Sequence, residues 1–417
     1  MSAVPADIAR WGFPNIQARH SIQNYYKLIT MLSNLSSTMN KPIPDYQISD
    51  SNLPFSEYIA HNRTIIEDRR TDLQQAGSLA QHIINANSPY EFHPINPIKS
   101  GHRLKYGVLL LHGLLDCPFS LKDIGIHLQS NGILCRSILL PGHGTTPEDL
   151  LSVSYHDWIQ ALHYGVDSLR KEVDHIFLAG FSTGAALSVY QALQDSQISG
   201  IILLAPAIRI KAPVSMVVLW HQIKKWLKLN HDQWLYQEKE MDYTKYLSIP
   251  FHAVKQVALL TNALKELRQH HTLTCPLFMA VSREDETISS HKAMDFFSSF
   301  RNQESKLLLY TSIDHAYPDS RIIPRITKNV DLNINHFSHV SIPFAPNNHH
   351  YGQQGDYPYA SHVNNGIIYG AYNRMEAELY NQLYQFKLCQ HQHRYLTYNP
   401  DFNYMADQIT KFVRNSC

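Results

Sequence analysis

The chain reads as an α/β protein, a doubly wound and mostly parallel sheet with helices on both faces. Three observations predict this. Short apolar runs without polar alternation, at Gly107–Leu111, Ile133–Leu140, Ile198–Ala205 and Pro276–Val281, read as strands buried on both faces. Amphipathic stretches lie between them, the clearest at 155–173, with Trp158, Leu162, Val166, Leu169 and Val173 at steps of three and four. A strand-to-helix junction with a tight glycine-flanked turn sits at 175–187, and right-handed crossovers then distribute the helices over the two faces.

Taken in order, residues 1–60 are rich in Ser, Asn and Pro and read as an N-terminal extension. Residues 61–86 carry Ile65, Ile66, Leu73, Leu79, Ile83 and Ile84 at a helical spacing, and Pro89, Pro94 and Pro97 then break the chain into extended form. A first core block, 61–206, contains the strands near 107–111 and 133–140, helices at 119–130 and 155–173, the junction and the strand 198–205. Residues 207–272 interrupt that rhythm. Val214–Leu229, bearing Met216 and Trp220, and Val254–Leu267 read as helices of a cap over the carboxyl ends of the strands. The core resumes over 273–370 with the strand at 276–281, a helix at 291–300, the strand Lys306–Tyr310 and a further extended segment, Asp331–Phe337. Residues 371–417 read as a C-terminal segment packed on the core, with helical patches near 373–388 and 402–414.

Composition narrows the function classes. The 36 basic and 35 acidic residues leave a net charge of +1, which gives no reason to expect nucleic acid as a partner. Five cysteines, Cys117, Cys135, Cys275, Cys389 and Cys417, show no paired spacing, so reduced thiols are expected. Residues Met1–Arg19 lack a basic start followed by an apolar core, and no apolar run is long enough to span a bilayer. These features give a cytoplasmic expectation, with signal-free export left open. Histidine is abundant, at 25 residues, but no metal-ligand spacing accompanies it, so no metal is expected. No pattern speaks to an oligomeric state.

The chemistry centres on Gly180-Phe181-Ser182-Thr183-Gly184, a G-x-S-x-G run between a strand and a helix. A serine there is held on a strained turn as a nucleophile, and the two glycines leave room for the backbone to fold back. Acyl transfer also needs oxyanion donors, and the backbone N–H groups of Thr183 and Leu114 are the candidates. An acid is expected after the strand 276–281, and Asp285 is preferred to its neighbours Glu284 and Glu286 because Ile288 turns back into the core. Two histidines compete for the base. His315 lies 30 residues beyond Asp285, as spacing would favour; His339 lies 54 beyond, after an extended segment and before an apolar anchor, as local setting would favour. His143, between two glycines, reads as part of a tight structural loop.

His112-Gly113-Leu114 with Asp116-Cys117-Pro118, Leu140 to Asp149, the G-x-S-x-G run, and Ser338 to Pro343 leading to His350-Tyr351-Gly352 together resemble the α/β-hydrolase superfamily. The resemblance is to bacterial serine hydrolases of the esterase and monoacylglycerol-lipase-like kind, over roughly residues 60–370. It implies an α/β-hydrolase fold, no organic or metal cofactor, and His339 as the base, with the region around Pro318–Arg321 as a loop. The expected function is hydrolysis of a carboxylic ester by Ser182, His339 and Asp285 through an acyl-enzyme. The apolar insertion, with Met216 and Trp220 as substrate contacts, points to a small-molecule or lipid ester and to peripheral membrane contact through the cap. Two other classes remain, an acyltransferase on the same fold and a non-catalytic binding protein.

Overall fold

The computed structural model describes residues 52–208, 233–362, 367–370, 385 and 391–416. The expectations placed on Met216 and Trp220, on most of the N-terminal extension and on the helical patch near 373–388 therefore lie outside the described residues.

A nine-stranded sheet organises the chain. Its strands are β1 (Tyr90–Phe92), β2 (Lys99–Ser100), β3 (Arg103–Leu111), β4 (Leu134–Ile138), β5 (Val173–Phe181), β6 (Ile198–Leu204), and then β9 (Leu277–Ser282), β10 (Lys306–Thr311) and β11 (Ile322–Ile326). Between them the small pair β7 (Trp234–Tyr236) and β8 (Ile249–Pro250) forms its own antiparallel ribbon. The order is β1-β4-β3-β5-β6-β9-β10-β11, with β2 hairpinned onto β3. From β4 to β11 every pairing is parallel, while β1 runs antiparallel to β4.

Alternation within the strands explains the two-sided core. Leu109, Leu111, Leu178, Leu203, Met279, Val281 and Leu309 face one cluster, with α4 (Tyr155–Arg170), α5 (Thr183–Gln194) and α6 (Phe251–His270). Val108, Leu110, Phe177, Ala179, Ile202, Leu204, Phe278 and Leu308 face the other, with α3 (Lys122–Ser130) and α8 (Phe402–Asn415). Successive residues of a strand point to opposite faces, so a continuous apolar run is what burial on both faces demands. Each of the Val, Leu, Ile, Phe and Met side chains among them contributes roughly 1.5–3 kcal/mol of transfer free energy. The helix α8 presents Phe402, Met405, Ala406, Ile409, Phe412 and Val413 to this second face.

The structure corrects three readings of local structure. The helix expected over Val254–Leu267 as part of the cap is α6, whose Ala253, Val257, Leu260 and Leu264 pack into the same sheet-face cluster as α4 and α5. The continuous helix expected over 61–86 is α1 (Phe55–Arg69), a single turn at Leu73–Ala76 and α2 (Ala80–Asn87). Helix α1 starts earlier because Pro54 precedes its first turn, where a missing N–H costs nothing, and it stops where Arg70 turns extended to reach the Asp72 carboxylate and the Tyr243 carbonyl. The segment Asp331–Phe337 is not a strand. It is a turn closed by Asn329 and Ile334, with Asn333 at φ 53°, a conformation asparagine tolerates well. The last strand of the nine-stranded sheet is instead β11, hidden in the sequence by Pro324; a proline is accommodated there because β11 is an edge strand.

Among the described residues no helix is long and apolar enough to cross a membrane. Cys117, Cys135 and Cys275 are free thiols. Helix α7 (Ser290–Ser298) completes the β9–β10 crossover.

Candidate active site

The turn after β5 is built by sterics. Ser182 has φ 52° and ψ −110°, a left-handed conformation that costs a non-glycine residue about 1–3 kcal/mol. It is held by the Ser182 N–H donating to the Leu204 carbonyl at 2.9 Å and by the Ala207 N–H donating to the Ser182 carbonyl at 3.1 Å. A methyl group at Gly180 would stand 2.2 Å from the Gly184 backbone, and one at Gly184 would stand 2.0 Å from the Leu111 carbonyl oxygen. Neither position admits any other residue. Ser182 itself is partly exposed, at the N-terminus of α5. The following backbone N–H, that of Thr183, belongs to the first, unpaired turn of that helix.

On the other side of Ser182 lies the loop after β3. A Cβ on Gly113 would stand 3.3 Å from Ser182 Cβ, so the His112-Gly113-Leu114 turn is packed directly against the serine. His112 fixes that turn. Its Nε2 accepts the Leu140 N–H at 3.0 Å, which leaves Nδ1 to carry the proton and donate to the Gly113 carbonyl at 2.8 Å. Burial, reinforced by the neighbouring His143, holds the His112 imidazole well below the usual histidine range, so it stays neutral. His143 is buried at the end of the Leu140–Gly144 turn, its Nδ1 on the Leu140 and Pro141 carbonyls, and burial lowers it to about 4. It packs at His112, Trp158 and Tyr246, as a structural loop histidine does.

Asp285 and His339 come together from distant parts of the chain. The His339 Nδ1 lies 2.8 Å from Asp285 Oδ2, and both side chains are buried. The other Asp285 oxygen accepts the N–H groups of Thr287 and Ile288, each at 2.8 Å, so the carboxylate is oriented from both ends. With Nδ1 donating to a carboxylate, Nε2 is the nitrogen left to accept a proton. The imidazole also packs on Phe181, the residue before Ser182, with ring centroids 5.1 Å apart. His339 is held on its own side by Ser338, whose hydroxyl donates to the Leu396 carbonyl at 2.5 Å. His315 is elsewhere: it is exposed in the loop after β10, edge-on to Tyr317 at 5.2 Å.

The three acidic neighbours of the sequence have separate tasks. Glu284 accepts the Ser312 hydroxyl at 2.8 Å, Asp285 faces the His339 imidazole, and Glu286 accepts the His339 backbone N–H at 3.0 and 3.2 Å. No pattern of the sequence singled out the contact between Glu286 and the main chain.

The family described as serine aminopeptidase, S33, matches residues 103–318, just over half of the 417 residues. The chain belongs to that family. The matched stretch contains Ser182 and Asp285 and ends before His339. Among curated relatives, this S33-family chain is 27% identical over 224 residues to a thermostable monoacylglycerol lipase of Bacillus sp. (strain H-257), covering 52% of this chain and 88% of that protein. It is 25% identical over 215 residues to a carboxylesterase of Bacillus subtilis (strain 168), covering 50% of this chain and 84% of that protein. A solved structure reported with the metagenome-derived lipolytic enzymes LipS and LipT aligns with 23% identity and a TM-score of 0.44, covering 51% of this chain and 86% of the other.

This S33-family hydrolase carries a second buried carboxylate–imidazole pair, which the sequence did not reveal. His350 Nε2 lies 3.0 Å from Asp242 Oδ1, and its Nδ1 lies 2.5 Å from Asp356 Oδ1. Both ring nitrogens face carboxylates, and these hydrogen bonds and charges outweigh burial and raise the His350 imidazole above its usual value. Asp242 also accepts the Tyr351 hydroxyl at 2.5 Å and the Thr244 N–H at 2.9 Å. This cluster fastens the segment that returns to the core before α6 onto the tail loop around 348–357. The same returning segment touches the candidate site: the Tyr246 N–H donates to the Leu115 carbonyl at 2.7 Å, and its hydroxyl accepts the Thr145 N–H at 2.7 Å.

Proposed function

We propose that this chain hydrolyses carboxylic esters, with Ser182 as nucleophile, His339 as base and Asp285 as the group that orients the base. The observation that carries the proposal is the 2.8 Å contact between Asp285 and His339, whose ring packs on Phe181, the residue before a serine held at φ 52° on a strand-to-helix turn. His339 Nε2 takes the Ser182 hydroxyl proton as Oγ attacks the ester carbonyl, and the developing oxyanion is received by the backbone N–H groups of Thr183 and Leu114. The imidazolium, stabilised by Asp285, returns the proton to the departing alcohol. The acyl-enzyme is then released by a water that gives its proton to the same imidazole. No step requires a metal or an organic cofactor.

The substrate class is an ester with an apolar acyl chain, of the small-molecule or lipid kind. The resemblance to a monoacylglycerol lipase and a carboxylesterase supports it, as does the apolar composition of 214–229, proposed as a cap with Met216 and Trp220 toward the acyl chain. The contact of Tyr246 with Leu115 supports placing the return of that cap at the oxyanion loop. Hydrolysis of p-nitrophenyl esters of increasing acyl length, and of a monoacylglycerol, tests the proposal. The expected result is a clear dependence on acyl length and a loss of at least about a thousandfold in kcat for Ser182→Ala. Turnover unaffected by Ser182→Ala would reject it.

A further inference from the structure

We infer that Glu286 is a positioning residue for the histidine base, its carboxylate clamping the His339 main chain and placing a second negative charge beside the imidazole. The inference rests on the reading of His339 as the base. Both oxygens of Glu286 lie within hydrogen-bond distance of the His339 N–H, at 3.2 and 3.0 Å, and Glu286 directly follows Asp285, which holds the same residue by its ring. The two carboxylates therefore grip one histidine at backbone and side chain. A clamp of this kind sets where Nε2 points, since the ring can pivot only about a main chain that is itself fixed.

The electrostatics give the arrangement a second consequence. Glu286 is half-buried, and burial with the adjacent Asp285 charge pushes its carboxyl up to about 7, against the opposing pull of His339. Keeping two like charges this close is unfavourable in the resting enzyme and becomes favourable when the imidazole gains a proton. The remaining charged groups of the loop are engaged elsewhere: Arg283 reaches the Tyr317 hydroxyl at 3.3 Å, and Glu284 is held by Ser312. From β5 the ring faces Phe181, which does not titrate, and Asp314 and His315 on the next loop are exposed. Asp285 and Glu286 are thus the two carboxylates that contact His339, one at its ring and one at its main chain.

The test compares Glu286→Gln, which keeps an acceptor and removes the charge, with Glu286→Ala, which removes both. The His339 titration is followed by NMR in a Ser182→Ala background with and without Glu286→Gln, and the pH profile of kcat/KM is measured for wild type and both Glu286 variants. Glu286→Gln is expected to lower the His339 midpoint, and with it the ascending limb of kcat/KM, by about half a pH unit or more. Glu286→Ala is expected to lower kcat about tenfold or more with KM nearly unchanged. A His339 midpoint unmoved by Glu286→Gln, or a kcat unmoved by Glu286→Ala, overturns the inference. A shifted midpoint in a protein without Ser182-dependent hydrolysis would instead reject the proposed ester hydrolysis and leave the assignment of Glu286 at the imidazole standing.

Discussion

The Ser282 hydroxyl, fully buried at the end of β9, donates to the Phe337 carbonyl oxygen at 2.7 Å. This single bond ties the strand that ends three residues before Asp285 to the segment that carries His339 two residues on. Ser282→Ala is expected to leave a buried carbonyl without this partner, at a cost of about 1–3 kcal/mol. Urea denaturation should show the loss, and kcat should fall more than KM rises, because the proposed acid and base are displaced relative to each other rather than removed.

Gly184→Ala tests the turn itself. With only 2.0 Å between the added methyl and the Leu111 carbonyl oxygen, either β3 or the start of α5 must move. A loss on the order of 3 kcal/mol or more is expected, seen as a large drop in Tm or as insoluble protein. A folded variant of wild-type Tm would show that the glycine is not required by sterics.

The Asp242–His350 pair predicts the pH dependence of stability. Hydrogen bonds and charge from Asp242 and Asp356 outweigh burial and raise the His350 imidazole above its usual value. A raised histidine stabilises the fold fully below the unfolded value of about 6.5, and that stabilisation is lost as pH rises through the folded value. For Asp242, burial is outweighed by its bonds to His350, Tyr351 and Thr244, and its carboxyl is held below the usual range. Its contribution is therefore present above the unfolded value and lost as pH falls through the folded one. Tm measured from about pH 4 to about pH 9 should sag on the alkaline side in wild type, and His350→Gln should flatten that limb. The same variant should lose about 3–5 kcal/mol near neutral pH, because it leaves buried Asp242 without its cation.

How much of this was legible in the sequence depends on how local each signal is. The strands β3, β5, β6 and β9 and the turn at Ser182 were readable because an apolar run and a G-x-S-x-G spacing state their own requirement within a dozen residues. Asp285 was readable from the strand before it and Ile288 after it. The choice between His315 and His339 was not decided by spacing, since the segment from 312 to 337 makes an edge strand and an asparagine-rich turn before the chain returns to Asp285. The pairing of His350 with Asp242 spans 108 residues, and the hold of Glu286 on a backbone N–H uses a group that every residue but proline possesses. Neither leaves a mark in local composition. Edge strand β11 was missed for the opposite reason: Pro324 gives a strong local signal, and only its place at the sheet edge makes it harmless.

The most direct measurement is labelling with a fluorophosphonate probe, mapped by mass spectrometry, in wild type, Ser182→Ala, His339→Ala and His315→Ala. Label on Ser182 is expected in wild type and His315→Ala, absent from Ser182→Ala, and slowed at least about a hundredfold in His339→Ala. Rapid labelling that survives His339→Ala but is lost in His315→Ala would contradict the proposed pairing of Ser182 with His339.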